Sequence, residues 1–276
     1  MVGDFCKLRS IERERTCDSR FWHTVEKKEL RTMRRCKCPE LRWKLELLRT
    51  TKPSVEQLKK ILKGHKAPNR DKRSSFKMQA PTADDIAGVL QETPHRTFAT
   101  ITRASAALVA EWAVAYLFGG CIPEACVPAD PESNPENFVG SEQVYHYVMQ
   151  LAIYICMALT LTRNLNKSGG YVNGQRVTVV DVFQNGILTQ TATGKLIMVH
   201  PYTDQETGVV LFPIRLGYAT TLHKIQGATL DHLTIWLDVP NVEAAAYVAL
   251  SRVRFDEHWR FIGDPTIHCF TPSSGF

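Results

Sequence analysis

The segment 217–252 constrains the fold of this chain more than any other. An apolar run, Leu233–Leu237 (LTIWL), lies between a glycine-containing turn and a predicted helix that begins near Val242 and ends with Ser251 and Arg252. An apolar strand followed by a helix is the repeating unit of a parallel sheet covered by helices. The pattern therefore predicts an α/β fold with polar side chains gathered at the edges of its strands.

The turn and the helix carry side chains suited to binding anions. Arg252 can present a planar, permanently charged guanidinium to a transferring phosphoryl group. The alternative is an ordinary cation at a helix C-terminus, which the helix dipole favours. Gly227 lets main-chain amides approach a phosphate. Gln226 and Thr221 offer neutral hydrogen bonding, and His223 can contact a nucleic-acid backbone. The alternatives are a structural role for His223 and a solvated side chain for Lys224.

Two parts of this segment resemble motifs of the Pif/RecD-type DNA helicases of superfamily 1. Gly217–Leu230 (GYATTLHKIQGATL) resembles their Thr-x-His-Lys-x-Gln-Gly turn, and Tyr247–Arg252 (YVALSR) resembles their Ala-Leu-(Ser/Thr)-Arg helix. In that family, both motifs face nucleic acid and ATP. The resemblance implies a catalytic, phosphate-contacting role for Arg252. It implies ATP contacts for Gln226 and Gly227. It implies DNA contacts for Thr221, His223 and Lys224.

The first residues resemble the third motif of the same family, Gly-Asp-Phe-x-Gln-Leu. The matching stretch is Val2–Leu8 (VGDFCKL), and it implies ATP contacts for Gly3, Asp4 and Lys7. Lys7 stands where the family has the glutamine that belongs next to the terminal phosphate. A longer, charged side chain at this position changes both the hydrogen-bonding geometry and the local charge.

A second N-terminal stretch, Phe21–Leu41, resembles the family segment that ends in an arginine just before Gln-x-Asp-Pro-x-Phe. On that pattern Arg35 falls on the family's other catalytic, phosphate-contacting arginine, with Cys36 in place of the glutamine and Cys38 in place of the aspartate. Arg34 is the competing candidate. A basic helix face in contact with solvent or DNA is the alternative interpretation.

The middle of the chain resembles the rest of the second motor domain of these helicases. A short predicted strand, FATIT, runs into a predicted helix, Ala104–Phe118, whose Leu108, Trp112 and Ala115 are expected to face inward. The Thr102-Arg103 step resembles the turn that precedes such a helix in the family. The resemblance implies DNA contacts for Thr102 and Arg103.

The stretch 144–213 has the character of a β-rich insertion. Strand-like runs (VTVVDVF, ILTQTAT and KLIMVH) follow an Asn173-Gly174 step, which is a strong turn signal. Together with an Arg-Asn-Leu sequence they resemble the small β-barrel inserted in the second domain of these enzymes.

The resemblance implies an α/β fold: a RecA-like second motor domain of the P-loop NTPase type, with the small inserted β-barrel and a helical remnant of the first RecA-like domain. Residues 1–70 would form the remnant, 71–143 and 214–276 the second RecA-like domain, and 144–213 the barrel.

Leu41, Leu45 and Leu48 lie on one side of a predicted helix, and the capping box Ser54–Gln57 opens a second helix whose Val55, Leu58, Ile61 and Leu62 are expected to face inward. The stretch 65–80 is polar, basic and contains a proline, and it predicts an interdomain linker.

The charge of the chain is divided unevenly. The net charge is +6, but residues 1–80 contain 23 Lys and Arg against 10 Asp and Glu, while the remaining residues carry a net −7. A basic region of this kind attracts polyanions through a salt-dependent interaction. A solubilised helical surface is the alternative.

Two features of the sequence predict an intracellular protein: the lack of membrane or signal segments and the pattern of its cysteines. The sequence has no stretch of about 20 continuous apolar residues and no apolar signal core at its start, which predicts a soluble, intracellular protein with no membrane partner. The eight cysteines are scattered in a chain too long to need disulfides, so we expect reduced thiols and no metal site. The family resemblance implies a nuclear or mitochondrial location.

Two patterns of a complete motor do not occur in these 276 residues. A Gly-x4-Gly-Lys-(Ser/Thr) loop holds the triphosphate and an acidic pair after an apolar strand holds magnesium. The Gly194-Lys195 step lies in a β run, and Asp256-Glu257 follows no apolar strand. The resemblance thus implies ATP and Mg²⁺ as cofactors of the complete helicase, with the magnesium ligands outside this chain, and predicts that these residues alone do not hydrolyse ATP.

The leading hypothesis is the C-terminal part of a truncated, ATP-dependent 5′ to 3′ DNA helicase that acts on single-stranded or forked DNA, in the repair and recombination context of its family. A second hypothesis is an ATP-independent module that binds single-stranded nucleic acid through its basic N-terminal third and the groove of its second domain. A third is a non-functional remnant whose apolar surface leads to aggregation. Salt-dependent affinity that ignores ATP would favour the second.

Overall fold

The structure is a computed structural model that describes residues 35–68, 78–205 and 207–273, together with Thr24. Its α-helices are α1 Pro39–Thr50, α2 Val55–Leu62, α3 Ala83–Glu92, α4 Arg103–Phe118 and α5 Ala245–Leu250. Its strands are β1 Thr97–Thr100, β2 Ala125–Ala129, β3 Phe138–Val139, β4 Glu142–Gln143, β5 Met149–Ile153, β6 Ala158–Leu161, β7 Arg176–Phe183, β8 Gly186–Thr191, β9 Leu196–Val199, β10 Tyr202–Thr203, β11 Val210–Leu211, β12 Ile214–Leu216, β13 Ala219–Thr221, β14 Leu233–Trp236 and β15 Trp259–Phe261.

Short 3₁₀ turns complete the secondary structure, at Pro131–Ser133, Pro135–Asn137, Asp256–His258 and Ile267–Phe270. The fold is mixed α/β and divides into two compact units, one of residues 1–101 and 221–276 and the other of residues 102–220. Over the part of the chain that the structure describes, no helix is long and apolar enough to cross a membrane. The domain boundaries drawn from the sequence stay a prediction.

The first unit is built on a four-stranded sheet in the order β13-β1-β14-β15. Strand β14 is parallel to both of its neighbours, with Phe98 opposite Thr234 and Ile235 opposite Phe261. Most residues of β1 and β14 are buried, as expected for parallel strands that are covered on both faces. The strand and helix predicted around residues 233–252 are confirmed, although α5 begins at Ala245, three residues later than expected.

Helices α1 and α2 bury the faces that their sequence spacing predicts. Leu41, Leu45 and Leu48 of α1 enter the core. The capping box of α2 is confirmed, because Ser54 Oγ accepts from Gln57 N and Ser54 N donates to Gln57 Oε1. Val55, which we expected to face inward, is exposed instead because it lies in the first turn, ahead of the buried stripe.

Both described ends of the stretch 65–80 pair with the C-terminal strand region. Phe261 N donates to His65 O at 2.6 Å, and Ala67 N donates to Phe261 O at 2.8 Å. Gln79 and Asp264 exchange two main-chain hydrogen bonds of 3.2 and 2.9 Å. The ends of the predicted linker are therefore ordered parts of the first unit.

The second unit contains α4 and the antiparallel strands. Helix α4 buries a narrow face of small side chains, namely Ala106, Ala107, Val109, Ala110 and Ala113. The predicted inward face was wrong: Leu108 and Trp112 are only half-buried and Ala115 is exposed. Small side chains let the main chain of α4 pack closely on this face, so the larger side chains of the helix lie at the edges of the buried face.

The main sheet of the second unit has the order β12-β6-β7-β8-β9, with every neighbouring pair antiparallel. The predicted strand runs are confirmed as β7, β8 and β9, and Asn173-Gly174 occupies the centre of a turn closed by Gln175 N donating to Val172 O. Gly174 adopts a φ of +86°, the left-handed conformation that such turns require. Closure of this sheet into a barrel stays a prediction.

Candidate functional site

Two buried apolar side chains anchor the turn that follows β13. Leu222 and Ile225 are buried in the core of the first unit, and Leu222 N donates to Thr100 O at the end of β1. Gly227 has a φ of +91°, which L-residues rarely adopt, while a Cβ there would meet nothing within 4 Å. The glycine is therefore required by its main-chain conformation, not by crowding.

Arg35 reaches across to this turn from the segment ahead of α1. Its Nη2 donates to Gly227 O at 3.0 Å and its Nη1 donates to Ser251 O at 2.9 Å. The segment is also fixed through its main chain, because Lys37 N donates to Arg254 O at 2.8 Å. The forked guanidinium thus links the turn to the end of α5.

Arg252 follows the end of α5, contacts the same turn and is only 2% exposed. Its Nε donates to Val248 O at 2.9 Å and its Nη1 donates to Ala228 O at 3.4 Å. Its Nη2 lies 2.6 Å from Ser251 Oγ. The side chain is therefore folded back on its own helix end and on the turn.

Two guanidinium groups consequently meet the carbonyl oxygens of two consecutive residues, Gly227 and Ala228. Ser251 belongs to both contacts, since its carbonyl binds Arg35 and its hydroxyl binds Arg252. Sequence reasoning assigned Ser251 no role. A contact of this kind, across 216 residues of chain, has no local sequence signal.

The arrangement concentrates positive charge beside Gly227, and guanidinium groups in such a place can bind the phosphate groups of a nucleotide. Arginine forks match phosphoryl oxygens in geometry, and the carbonyl oxygens of Gly227 and Ala228 that they contact are neutral groups that a phosphate can replace. Gln226 is half-buried in the same turn. In the described ranges, no group of three or more His, Cys, Asp or Glu side chains could hold a metal ion.

The other predicted site residues fall into three groups. In the turn, Thr221 is buried, His223 is half-buried and Lys224 is exposed. In the second unit, Thr102 caps α4 by accepting from Ser105 N at 3.2 Å, and Arg103 is exposed. Gly3, Asp4 and Lys7 lie outside the described residues. The functional roles of all of these residues remain predictions.

A buried ionic cluster in the first unit was missed by the sequence analysis. Lys44 is 2% exposed, and its Nζ lies 2.6 Å from Asp256 Oδ2 and 2.9 Å from His65 Nε2. His65 stacks on Trp259 with ring centroids 3.5 Å apart, and Trp259 Nε1 donates to Asp256 Oδ1 at 3.1 Å. A lysine in the apolar stripe of α1 was the available signal, because buried lysines are almost always paired.

Asp256 is the electrostatic centre of this cluster. Burial alone would favour its neutral form, but hydrogen bonds from His65 and Lys44, and the charges of these groups, lower the pKa of the carboxyl to about 2. The carboxylate is therefore held by Lys44, His65 and Trp259.

Comparisons with known proteins find sequence similarity to Pif1 helicases. No protein-family model matches the chain. The chain is 40% identical over 103 residues to the ATP-dependent DNA helicase Pif1 of Bdellovibrio bacteriovorus, and 32% identical over 133 residues to human PIF1. These matches cover 34% and 45% of the chain, but only 23% and 21% of the two relatives.

The fold is shared with solved Pif1 structures. Candida albicans Pif1 matches 99% of this chain with a TM-score of 0.62 and 16% identity, over 65% of its own length. A structure of two coordinating Pif1 helicases at forked double-stranded DNA matches 86% of this chain with a TM-score of 0.59 and 20% identity, over 50% of that chain. The sequence matches and the mixed α/β fold together confirm the resemblance of this chain to the Pif1-type helicases of superfamily 1.

Proposed function

We propose that this chain supplies the second RecA-like motor domain, the inserted β-barrel and a helical part of the first domain of an ATP-dependent 5′ to 3′ DNA helicase. The boundaries we propose are those drawn from the sequence, with the barrel at 144–213. The observation that carries the proposal is the convergence of Arg35 and Arg252 on adjacent carbonyls of one turn. Solved Pif1 structures bound to single-stranded DNA and to ADP-AlF₃ are consistent with it.

In this proposal, Arg35 and Arg252 contact the transferring phosphoryl group. Each guanidinium exchanges a carbonyl acceptor in the turn for a phosphate oxygen, which carries more negative charge and binds arginine more strongly. Gln226 and Gly227 contact ATP from the turn, together with Gly3, Asp4 and Lys7. ATP would supply the phosphoryl group, with magnesium as the family's metal ion, and the two arginines would stabilise the charge that develops on that group.

Coupling to DNA follows from the same turn. Once the arginines release Gly227 O and Ala228 O, the turn can change its conformation, and the turn also carries Thr221, His223 and Lys224. We propose that these residues, with Thr102 and Arg103 of the second unit, contact single-stranded DNA. Nucleotide binding would thereby change the main-chain conformation of a few residues in the turn, and this change would alter the DNA contacts of the same turn.

A direct test is the binding of a labelled oligo-dT to the 276-residue polypeptide by fluorescence anisotropy. We expect an affinity that falls with salt with a slope of about −0.7 for each phosphate contacted. No affinity for oligo-dT at low salt would overturn the proposal. An affinity that is indifferent to ATP in the complete motor would favour the ATP-independent binding module instead.

The catalytic roles are tested in a chimera in which these residues replace the matching segment of a Pif1 helicase that carries the Gly-x4-Gly-Lys-(Ser/Thr) loop. Arg252→Ala should abolish DNA-stimulated ATP hydrolysis and leave the affinity for DNA largely intact. His223→Ala should weaken DNA binding or its coupling to hydrolysis. Arg254→Ala is the matched control, because Arg254 is exposed and its side chain is assigned no role.

The isolated polypeptide provides the complementary measurement. We expect no ATP hydrolysis above background, because its sequence lacks the triphosphate-binding loop. Turnover comparable to that of a complete motor would contradict this expectation. Roles in DNA repair and recombination, and a nuclear or mitochondrial location, are proposals of the same kind and rest on the family resemblance alone.

A further inference from the structure

An exposed pair of aromatic rings stands out on the second unit. Tyr145 is 44% exposed and Tyr147 is 61% exposed, and their rings stack with centroids 5.3 Å apart and an interplanar angle of 15°. Aromatic side chains carry large apolar surfaces that are normally buried at least in part. Two stacked tyrosines directed at solvent therefore indicate a contact surface.

Two buried asparagines hold the main chain beneath the rings: Asn134 Nδ2 donates to Tyr147 O at 3.4 Å, and Asn137 makes most of the contacts. Its Oδ1 accepts from Tyr147 N at 2.9 Å and its Nδ2 donates to Tyr147 O at 2.9 Å. Its main-chain oxygen accepts from Val144 N and Tyr145 N at 2.8 and 3.2 Å, and its Nδ2 also donates to Pro131 O. The rings are thus presented by a fixed main chain, so that little conformational entropy is lost when they bind.

A cation is joined to the same surface. Arg103 Nη1 donates to Gln143 Oε1 at 3.4 Å, and Gln143 Nε2 lies 3.5 Å from Tyr145 O and 3.4 Å from His146 Nδ1. Glu142 precedes Gln143 on β4, and successive strand residues point to opposite faces. Its carboxylate is therefore directed away from the side on which Gln143 contacts Arg103.

We propose that Tyr145 and Tyr147 form a stacking platform for the bases of single-stranded DNA, with Arg103 contacting a phosphate beside it. This inference rests on the proposed function and adds to it a base-contacting site that the helicase motifs do not include. Aromatic faces next to a cation are the combination that binds single strands without sequence preference. Because the two rings already contact each other, a base stacks on the outer face of the pair and does not enter between them.

The test uses the 276-residue polypeptide and two labelled probes, oligo-dT and an abasic oligomer of the same length. Tyr147→Ala should weaken oligo-dT binding about tenfold and leave the salt slope unchanged, because stacking involves no counterion release. Tyr147→Phe should bind like wild type. Arg103→Ala should instead reduce the salt slope by about 0.7.

Controls separate this inference from the proposed function. Tyr116→Ala removes a tyrosine of similar exposure, 45%, from α4, and it should leave both probes unaffected. Wild type and Tyr147→Ala should bind the abasic probe equally. If wild type binds oligo-dT and Tyr147→Ala binds it equally well, the platform is refuted while the proposed function stands; if wild type binds neither probe, both fail. A Tyr147-dependent preference for oligo-rU would identify RNA and overturn the assignment to DNA.

Discussion

Two groups of basic side chains in the first unit meet their hydrogen-bond acceptors in different ways. In the cluster of Lys44 and His65, the central acceptor is the carboxylate of Asp256. Around Arg35 and Arg252, the acceptors include carbonyl oxygens of the turn and of α5, the carbonyl oxygen of Ser251 and the hydroxyl of Ser251. Both groups connect distant parts of the chain, the first through an ion pair and the second through hydrogen bonds to carbonyl oxygens.

The difference separates a structural role from a role in binding an anion. A carboxylate neutralises a buried cation permanently, and removing it leaves an uncompensated charge. A carbonyl satisfies an arginine's donors without cancelling its charge, so the arginine can still attract a phosphate. We therefore expect substitutions in the first group to change stability, and substitutions in the second to change ligand binding more than stability.

The largest effect is expected from Asp256→Asn. The substitution leaves Lys44 buried without its carboxylate, and it should lower the free energy of unfolding by about 3 kcal/mol. Urea denaturation measures it, with Glu257→Gln as the exposed neighbouring control. A loss below about 1 kcal/mol, the range of surface ion pairs, would mean that the cluster is not an effectively buried ion pair.

The pH dependence of the same cluster gives a second prediction. The pKa of Asp256 is about 2 in the folded protein and about 3.9 in an unfolded chain, so the folded state favours the carboxylate. Its contribution is complete above about pH 4 and is lost as the pH falls towards 2. The difference in unfolding free energy between wild type and Asp256→Asn should shrink across this window. A difference that is constant down to pH 2 would contradict the assignment.

Arg35→Gln should have a smaller effect on stability, about 1 kcal/mol, because the arginine is partly exposed and its acceptors can bind water instead. The ligand response should change more. Pyrophosphate at matched ionic strength should raise the melting temperature of wild type and raise it less in Arg35→Gln, because a ligand stabilises the state that binds it. An equal shift in both proteins would mean that Arg35 does not bind the anion. Arg254→Gln serves as the control.

The smallest effect is expected for Lys224→Ala. The side chain is exposed, so the unfolding free energy should change by less than about 0.5 kcal/mol. The affinity for oligo-dT should nevertheless fall, as removal of one phosphate contact requires. A larger loss of stability than of DNA affinity would assign this lysine to the fold and not to the DNA contact.

Local patterns predicted the local structure well. The capping box of α2, the apolar stripe of α1 and the strands β7 to β9 depend on neighbouring residues, and all were confirmed. The inward face of α4 was predicted wrongly, because choosing large apolar residues ignores how closely a small face can pack. The spacing of residues in a sequence describes an element's own geometry, but not the shape of what it packs against.

Long-range contacts were less accessible from the sequence. Position 35 was selected through family resemblance, while its two acceptors lie 192 and 216 residues away. Asp256 and Lys44 are separated by 212 residues, and no pattern links them. The tyrosine pair was readable as an alternating Tyr-His-Tyr sequence, but its exposure depends on Asn137, whose burial only the tertiary structure reveals.

The pairing of residues 65–67 with Phe261 affects how this protein can be dissected. Strand β15 lies at one end of its sheet, and this short segment occupies the hydrogen-bonding groups that such a strand otherwise presents to other molecules. A polypeptide that starts at the predicted boundary, residue 71, would uncover that strand and tend to self-associate. A recombinant fragment of this protein with good solubility should therefore retain residues 35–68.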